Sequence, residues 1–437
     1  MPENIEERTV VVVGAGMAGL RTALDLHARG VDVLVLEAAP RVGGRVLTET
    51  TALGTHVDLG GQWIGHGHRR FTALAEECGA RVYPMETPTL PKLADGRRTA
   101  GPANPTFLLA GAALAAWEGA VRFGGPRLGG DALVADRLRW VPRRARRLLR
   151  VLLEISTTAD LDRLSLRDFA AIVRVQEGLR TAMSTRGGAQ DSLVADGAGT
   201  LAVRMAERLG ERVRTDSAVL AIHRDDDGAT VHTAAGRVRC RRVVVTAPPP
   251  IAAAIEHRPA LPAERSRAER GTYMGSVYKA LAVYERPFWR DRGHAEMIMF
   301  DDPGVGVFDS TPPSADGAGP GHLTLLVGGS DARTLDGLST EERRDALLAR
   351  LAHHLGDAVT TPASWHEKAW HQDEYVGGGY LALPDAIAGA MPVPLGHAPA
   401  GTVHWAGTET AREHAGYIEG ALESGERAAA EVLAALR

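Results

Sequence analysis

After a short polar lead the chain runs through four consecutive valines, Val10–Val13, and a glycine-rich turn. Apolar residues then recur every three to four positions through MAGLRTALDLHARG, and a second apolar run follows at Val31–Leu36. An unbroken apolar run reads as a strand buried on both faces, and the 3.6-residue recurrence reads as a helix, so the opening predicts strand, helix, parallel strand. Residues 91–195 change character, being rich in alanine and leucine, helical in period, and interrupted at Gly124–Pro126 and at Pro142. Strand and helix signals return with a helix at Gly199–Leu209, a strand at Ala218–His223, an acidic turn at Asp225–Gly228 and a strand at Arg242–Thr246. From about 255 to 370 alternating apolar strands dominate, among them Ala280–Tyr284, Leu323–Val327 and Ser364–Trp370, with a helix at Thr340–His354. This predicts a mixed sheet flanked by helices. A buried strand, Val403–Ala406, and an amphipathic closing helix, Gly416–Leu436, complete the pattern.

The first turn carries chemistry. Gly14 and Gly16 permit a tight bend and let the backbone approach a pyrophosphate, while Gly19 lets the helix lie against the sheet and its N-terminus offers free N–H groups to an anion. Glu37 ends the second strand 18 residues after Gly19, where a carboxylate can bind ribose hydroxyls and would repel a 2′-phosphate. A lone GxGxxG is weak evidence, but strand, helix, strand and acid in register predict a dinucleotide site. Eight residues on, Arg45 in RVGGRV can reach back to the same pyrophosphate, with Gly43 and Gly44 keeping the path clear. DLGGQWIG, Asp58–Gly65, adds a second glycine-rich pass.

At this point the chain resembles the flavin-containing amine oxidase family, which includes monoamine, putrescine and polyamine oxidases. LEAAPRVGGR, DLGGQWIG, STRGGAQ, VVVTAPPP, GSVYKALAVYERPFW, EYVGGGY and WAGTETAREHAGYIEGALESGERAA occur in the family's order, and only about residues 90–150 carry no recognisable motif. The resemblance implies an α/β fold in which a Rossmann-type FAD-binding domain (1–90, 196–254 and 371–437) interleaves with an α+β substrate-binding domain (91–195 and 255–370). It implies that FAD accepts a hydride equivalent from an amine and that O2 reoxidises it to give H2O2. Ala18, Ala38, Gly61, Gln62, Trp63 and Gly407 join the cofactor set on this basis, with the backbone of Val219 at the adenine. Glu409 in the GTET turn falls at the ribityl or pyrophosphate side, and the Ile418 backbone at the flavin N1/O2 edge.

Lys279 is one of three lysines and sits inside an apolar strand, where a buried ammonium needs a partner or a task. In the resembling enzymes this lysine holds a water at flavin N5 that assists the reaction with oxygen; a lysine on a solvent-facing strand edge is the plain alternative. Tyr380 and Tyr417 fall where the family places two facing rings that receive a neutral amine, and Trp370 matches a tryptophan packed near the flavin. Alignment with the family makes Ile155 and Met183 gate-like residues and Gln190 a polar contact, each equally readable as packing. Gly379 stands where mitochondrial relatives carry the cysteine that bonds the flavin, so the FAD is expected to be held without a covalent bond. Relatives that oxidise amino acids place an arginine soon after the second glycine pass. Here Gln62, Trp63 and Ile64 occupy that stretch, favouring an unsubstituted amine, although Arg186 keeps an amino acid substrate open, and a polyamine or diamine oxidase of the same fold is the other alternative. A desaturase of the carotenoid or porphyrinogen type, or an FAD-binding scaffold without activity, are the readings of other classes; the cage tyrosines and Lys279 weigh against both.

Composition narrows the setting. The 437 residues are 44% hydrophobic and 24% charged with a net charge of -4, giving no reason to expect nucleic acid or an anionic membrane. RLRWVPRRARRLLR, Arg137–Arg150, reads as a solvated helix face. Cys78 and Cys240 are too few for a disulfide framework and lack metal-ligand spacing. No signal peptide, membrane-spanning run or C-terminal anchor is recognisable, so a cytoplasmic enzyme acting on a small amine and O2 is expected, with no metal and with a homodimer left open. No Ser-His-Asp order, HExxH or paired acids stand out, which suits hydride transfer from a neutral amine.

Overall fold

The valine run forms the strand Glu6–Val13, which in the computed structural model lies parallel to Val33–Leu36 on one side and to Gly236–Val245 on the other. Val10, Val11 and Val12 are fully buried, as a strand covered on both faces requires. The structure describes residues 5–88, 91–95, 98–101, 103–123, 130–292, 296–301, 303–314, 319–389 and 393–437. The Gly/Pro break expected at 124–126 lies outside them.

The first sheet runs Val213–Arg214, Val33–Leu36, Glu6–Val13, Gly236–Val245, Ala229–Thr233, Val219–Arg224, Glu256–Arg258, and Val403–Trp405 adds parallel to the far half of Gly236–Val245. Helix Met17–His27 covers it together with Ile418–Ala435, whose Gly425 carbonyl accepts the Thr22 hydroxyl at 3.1 Å. A second sheet runs Ser364–Ala369, Val277–Tyr284, Gly321–Gly328, Gly304–Asp309, Met297–Asp301, Lys92–Asp95, Arg98–Ala100. Val277–Tyr284 is buried along its whole length, packed on one face against the cluster containing Leu347, Leu348 and Leu351 of helix Thr340–Leu355.

Several expected bounds change. The second strand begins at Val33 rather than Val31, the strand expected at Arg242 begins at Gly236, and the closing helix begins at Ile418 with Tyr417 as its N-cap. Trp370 is not the end of a strand but opens the short 3-10 turn Trp370–Gln372. The stretch expected to be helical from 91 starts with two strands, because Lys92–Asp95 pairs with Met297–Asp301 some two hundred residues away and is too short to show a period of its own. The arginine-rich segment forms helix Arg143–Thr157, burying Ala145, Leu148 and Leu149 and leaving Arg143 and Arg144 exposed. Among the described residues no helix is long and apolar enough to cross a membrane.

Candidate active site

A cavity of about 530 Å³ opens between the two sheets, extending from the first glycine turn to the two tyrosines. At one end it is lined by Gly14, Gly16, Ala18, Glu37, Ala38, Gly43, Gly44, Arg45 and Val219. Towards the other end come Gly61, Gln62, Trp63, Lys279, Trp370, Gly407 and Ile418, then Tyr380, Tyr417, Ile155 and Gln190. Segments almost four hundred residues apart therefore share one wall.

The turn is shaped by its glycines. Gly14 has φ +103°, and a Cβ at Gly19 would lie 2.0 Å from the Gly14 carbonyl oxygen, so that helix can approach the turn only with glycine there. Gly19 itself does not reach the cavity, consistent with a packing role. The Glu37 carboxylate accepts the Ala15 N–H at 2.6 Å and the Ala39 N–H at 2.9 Å, which fixes its direction; burial pushes its pKa up, against those bonds.

Arg45 stays on the cavity wall as expected, whereas Glu409 does not reach it. The Arg45 guanidinium is bound by the Glu409 carboxylate at 2.7 and 3.2 Å and by the Tyr380 carbonyl at 2.8 Å. Glu409, fully buried, also accepts the Ala382 N–H at 3.1 Å and lies behind Arg45, off the cavity wall. Burial opposes its ionisation, but Arg45 and the hydrogen bonds win and hold its pKa below the ordinary value. Glu409 thus clamps Arg45 to the strand that carries Tyr380. Met183 is likewise off the wall, packed against the helical core; its neighbour Ala182 lines the cavity instead, because the short helix Leu179–Ala182 turns that position inward. Arg186 is exposed and off the wall.

Lys279 is 3% exposed, which settles the choice between buried and solvent-facing. Its Nζ donates to the Gly60 carbonyl at 2.8 Å and to the Gln62 side-chain oxygen, and it stands 5.4 Å from the centre of the Trp63 ring. Burial pushes its pKa down to about 7, with the Asp58 carboxylate pulling the other way. Asp58, also buried, accepts the Ala198 N–H at 2.9 Å and so ties the second glycine pass to helix Ala198–Leu209. Gln62 gives its oxygen to Lys279, and its Nε2 is buried without a partner on the cavity wall. An orphaned amide donor, a glycine-lined turn and a fixed acid are the set a dinucleotide flavin needs, so the residues present fit FAD.

Burial raises the pKa of both cage phenols, so Tyr380 and Tyr417 remain protonated. Trp370 is held by a 2.7 Å bond from Nε1 to the Leu59 carbonyl. Trp63, expected with the cofactor, lines the cavity and packs edge-on against Phe308 at 5.7 Å. Sequence reasoning missed Arg41, which lines the cavity near Glu37 and donates to the Gly44, Val46 and Val42 carbonyls. It also missed His68, whose spacing four residues after Ile64 matches no motif. Neither Cys78, half-buried, nor Cys240, buried in a strand, lies on the wall, whereas Gly379 does.

Comparison with known proteins agrees with this geometry. Residues 17–433 match the family model described as flavin containing amine oxidoreductase. A Mycobacterium tuberculosis protein, AofH, that carries the name flavin-containing monoamine oxidase is 35% identical over 98% of this chain and 97% of its own. Human amine oxidase [flavin-containing] B is 31% identical over 98% of this chain and 86% of its own. Among solved structures, cyclohexylamine oxidase from Brevibacterium oxydans IH-35A superposes with a TM-score of 0.90 at 29% identity, covering 100% of both chains. Putrescine oxidase bound to putrescine superposes with a TM-score of 0.86 at 26% identity, over 99% of this chain and 100% of the other.

Proposed function

Since the chain belongs to the flavin-containing amine oxidoreductase family and is an FAD-dependent amine oxidase, we propose that its substrate is a small monoamine bearing an aryl or alkyl group. The observation that carries this reading is the distribution of charge along the cavity. Among the described residues its lining acids are Glu37, Asp373 and Glu374 and its lining arginines Arg41 and Arg45. Arg41 feels both Asp373 and Glu37, placing that group at the dinucleotide end. The rest of the wall includes Tyr380 and Tyr417, the apolar Trp63, Ile155, Leu326, Val277 and Val376, the neutral amides of Gln176 and Gln190, and Lys279. A diamine's second ammonium meets no carboxylate there, and the one cation among these lining residues, the Lys279 ammonium, is already held by the Gly60 carbonyl and the Gln62 oxygen, so either extra charge would be buried unpaired at a cost.

FAD, when bound, supplies the hydride acceptor at N5 and the electrons that reduce O2. The chain's own residues bind and orient. The tyrosine rings present π-faces to the amine, and their protonated phenols leave it no carboxylate-like partner that would favour the ammonium form. Trp63 and Ile155 exclude water around the organic group. We assign Gly14, Gly16, Glu37, Arg41, Gly44 and Arg45 to the dinucleotide, with Gln62 Nε2 as a donor to the flavin. Segments 1–90, 196–254 and 371–437 carry the cofactor in this reading, and 91–195 with 255–370 the substrate. Overall, amine, O2 and water give aldehyde, ammonia and H2O2. Two free cysteines, far from any pairing, suit a reducing cytoplasm.

A panel of aryl-alkyl amines, diamines and α-amino acids assayed for peroxide release tests the substrate class. Primary aryl-alkyl amines should lead, and an amino acid outrunning its decarboxylated amine would overturn the reading. Tyr417→Ala should cost on the order of 1–2 kcal/mol in transition-state binding, a tenfold to thirtyfold loss in kcat/KM, with FAD still bound. With Gly379 at the position of the attaching cysteine, acid precipitation should release all the yellow colour into the supernatant; a yellow pellet would refute non-covalent attachment.

A further inference from the structure

Behind Tyr417, on the side away from the cavity, two imidazoles from distant parts of the chain meet. His68, 3% exposed, accepts the Gly65 N–H on Nδ1 at 2.9 Å, so the proton of its neutral ring sits on Nε2. Its ring centre lies 5.0 Å from that of Tyr417 at an interplanar angle of 59°, and 4.9 Å from that of His414 at 76°. Burial, and then the neighbouring His414, push its pKa down to about 3, so the ring is neutral near pH 7. His414, in a left-handed backbone conformation at φ 55°, accepts the Tyr417 N–H at 3.1 Å and donates its own N–H to the Val175 carbonyl at 2.8 Å. The Tyr417 carbonyl in turn accepts the Thr408 hydroxyl at 3.1 Å. The tyrosine's backbone is therefore pinned on both sides, and its ring packs against the tilted ring of His68. Gly65, His68 and His414 do not line the cavity, so whatever they do to the reaction passes through Tyr417.

We propose that His68 is a positioning residue for amine oxidation, its ring setting the angle at which Tyr417 faces the amine. The inference rests on the reading of Tyr417 as a cavity wall. A ring attached through one Cβ can swing unless something fixes it, and a π-face aimed away from the amine contributes nothing to its binding. A tilted aromatic contact of this kind, removed, should cost a factor of roughly three to ten.

A double-mutant cycle on the FAD-loaded enzyme decides it, with anaerobic flavin reduction by a primary aryl-alkyl amine as the readout. His68→Leu should slow reduction or weaken amine binding by that factor while leaving flavin content and reoxidation by O2 unchanged. In a Tyr417→Ala background the same substitution should have an effect of less than about twofold, because its target is gone. His68→Asn keeps an acceptor for the Gly65 N–H without the ring, and should recover the melting temperature but not the reduction rate. Equal losses in both backgrounds, an unimpaired His68→Leu enzyme, or full rescue by asparagine would each overturn the proposal. If Tyr417→Ala leaves reduction untouched, the cage reading itself fails and the role of His68 with it; a slow Tyr417→Ala enzyme with a normal His68→Leu enzyme defeats only the inference.

Discussion

Gly16→Val is expected to give a folded but colourless protein. Gly16 has φ -74°, open to any residue, and a Cβ built on it meets nothing nearer than the Gly44 Cα at 4.0 Å. The protein therefore tolerates a side chain at this position, and the space that side chain enters is the cavity itself. What excludes it is the pyrophosphate, which must approach the backbone at the start of helix Met17–His27 to use its N–H groups. Overpacking that approach should weaken FAD binding on the order of a hundredfold or more, enough to strip the cofactor during purification. Gly19→Val makes the contrast, because its Cβ would strike the Gly14 carbonyl and distort the turn, giving misfolded protein. Circular dichroism with flavin absorbance separates the two outcomes. Full flavin occupancy in Gly16→Val would show that the pyrophosphate lies elsewhere.

Lys279→Met should split the catalytic cycle. Its ammonium is aimed at the Gly60 carbonyl, the Gln62 oxygen and the Trp63 face, and both its hydrogen bonds go to the second glycine pass. Reduction of the flavin by amine should persist, whereas reoxidation by O2 should slow roughly a hundredfold, the usual cost of removing a preorganised charge from a dry site. A pH dependence follows from the depressed pKa. The charged form prevails below about 7 and is lost above it, so reoxidation in the unsubstituted enzyme should fall as pH rises through that value. The methionine variant should show no such step. Stopped-flow traces of the two half-reactions test both claims, and a collapse of reduction with normal reoxidation would move Lys279 to the substrate side.

The cofactor half was readable because its requirements are backbone requirements. Gly14, Gly19 and Glu37 follow from how a chain must bend and where an acid must stand, and the valine run from burial on both faces. Lys279 was readable for a similar reason, since an ammonium inside an apolar strand is anomalous wherever it occurs. Side-chain direction was not readable. Met183 and Ala182 are both apolar, and only the fold decides which one faces the cavity. Glu409 lies in a turn that resemblance places beside the flavin, yet its carboxylate is spent on Arg45, a pairing of residues 364 positions apart that no local pattern records. His68 stayed hidden because its meaning comes from Tyr417, far along the chain, and a lone histidine carries no period. Lys92–Asp95 was lost to its helical surroundings, being defined by a partner strand rather than by its own four residues.

The interleaving of the first sheet has a consequence for how the enzyme is made. Strand Glu6–Val13 leaves the ribosome nearly four hundred residues ahead of strand Val403–Trp405 and of helix Ile418–Ala435, which packs beside Met17–His27 over it. At ribosomal speed that is a wait of roughly 20–80 s before the helix covers its face of the sheet. The site for FAD cannot close on the nascent chain, since Arg45 has no Glu409 to hold it until the turn Thr408–Thr410 is released. Completion of the cofactor site is therefore expected only after the Thr408–Thr410 turn and the helix that follows it have been made, however early the first strands pair.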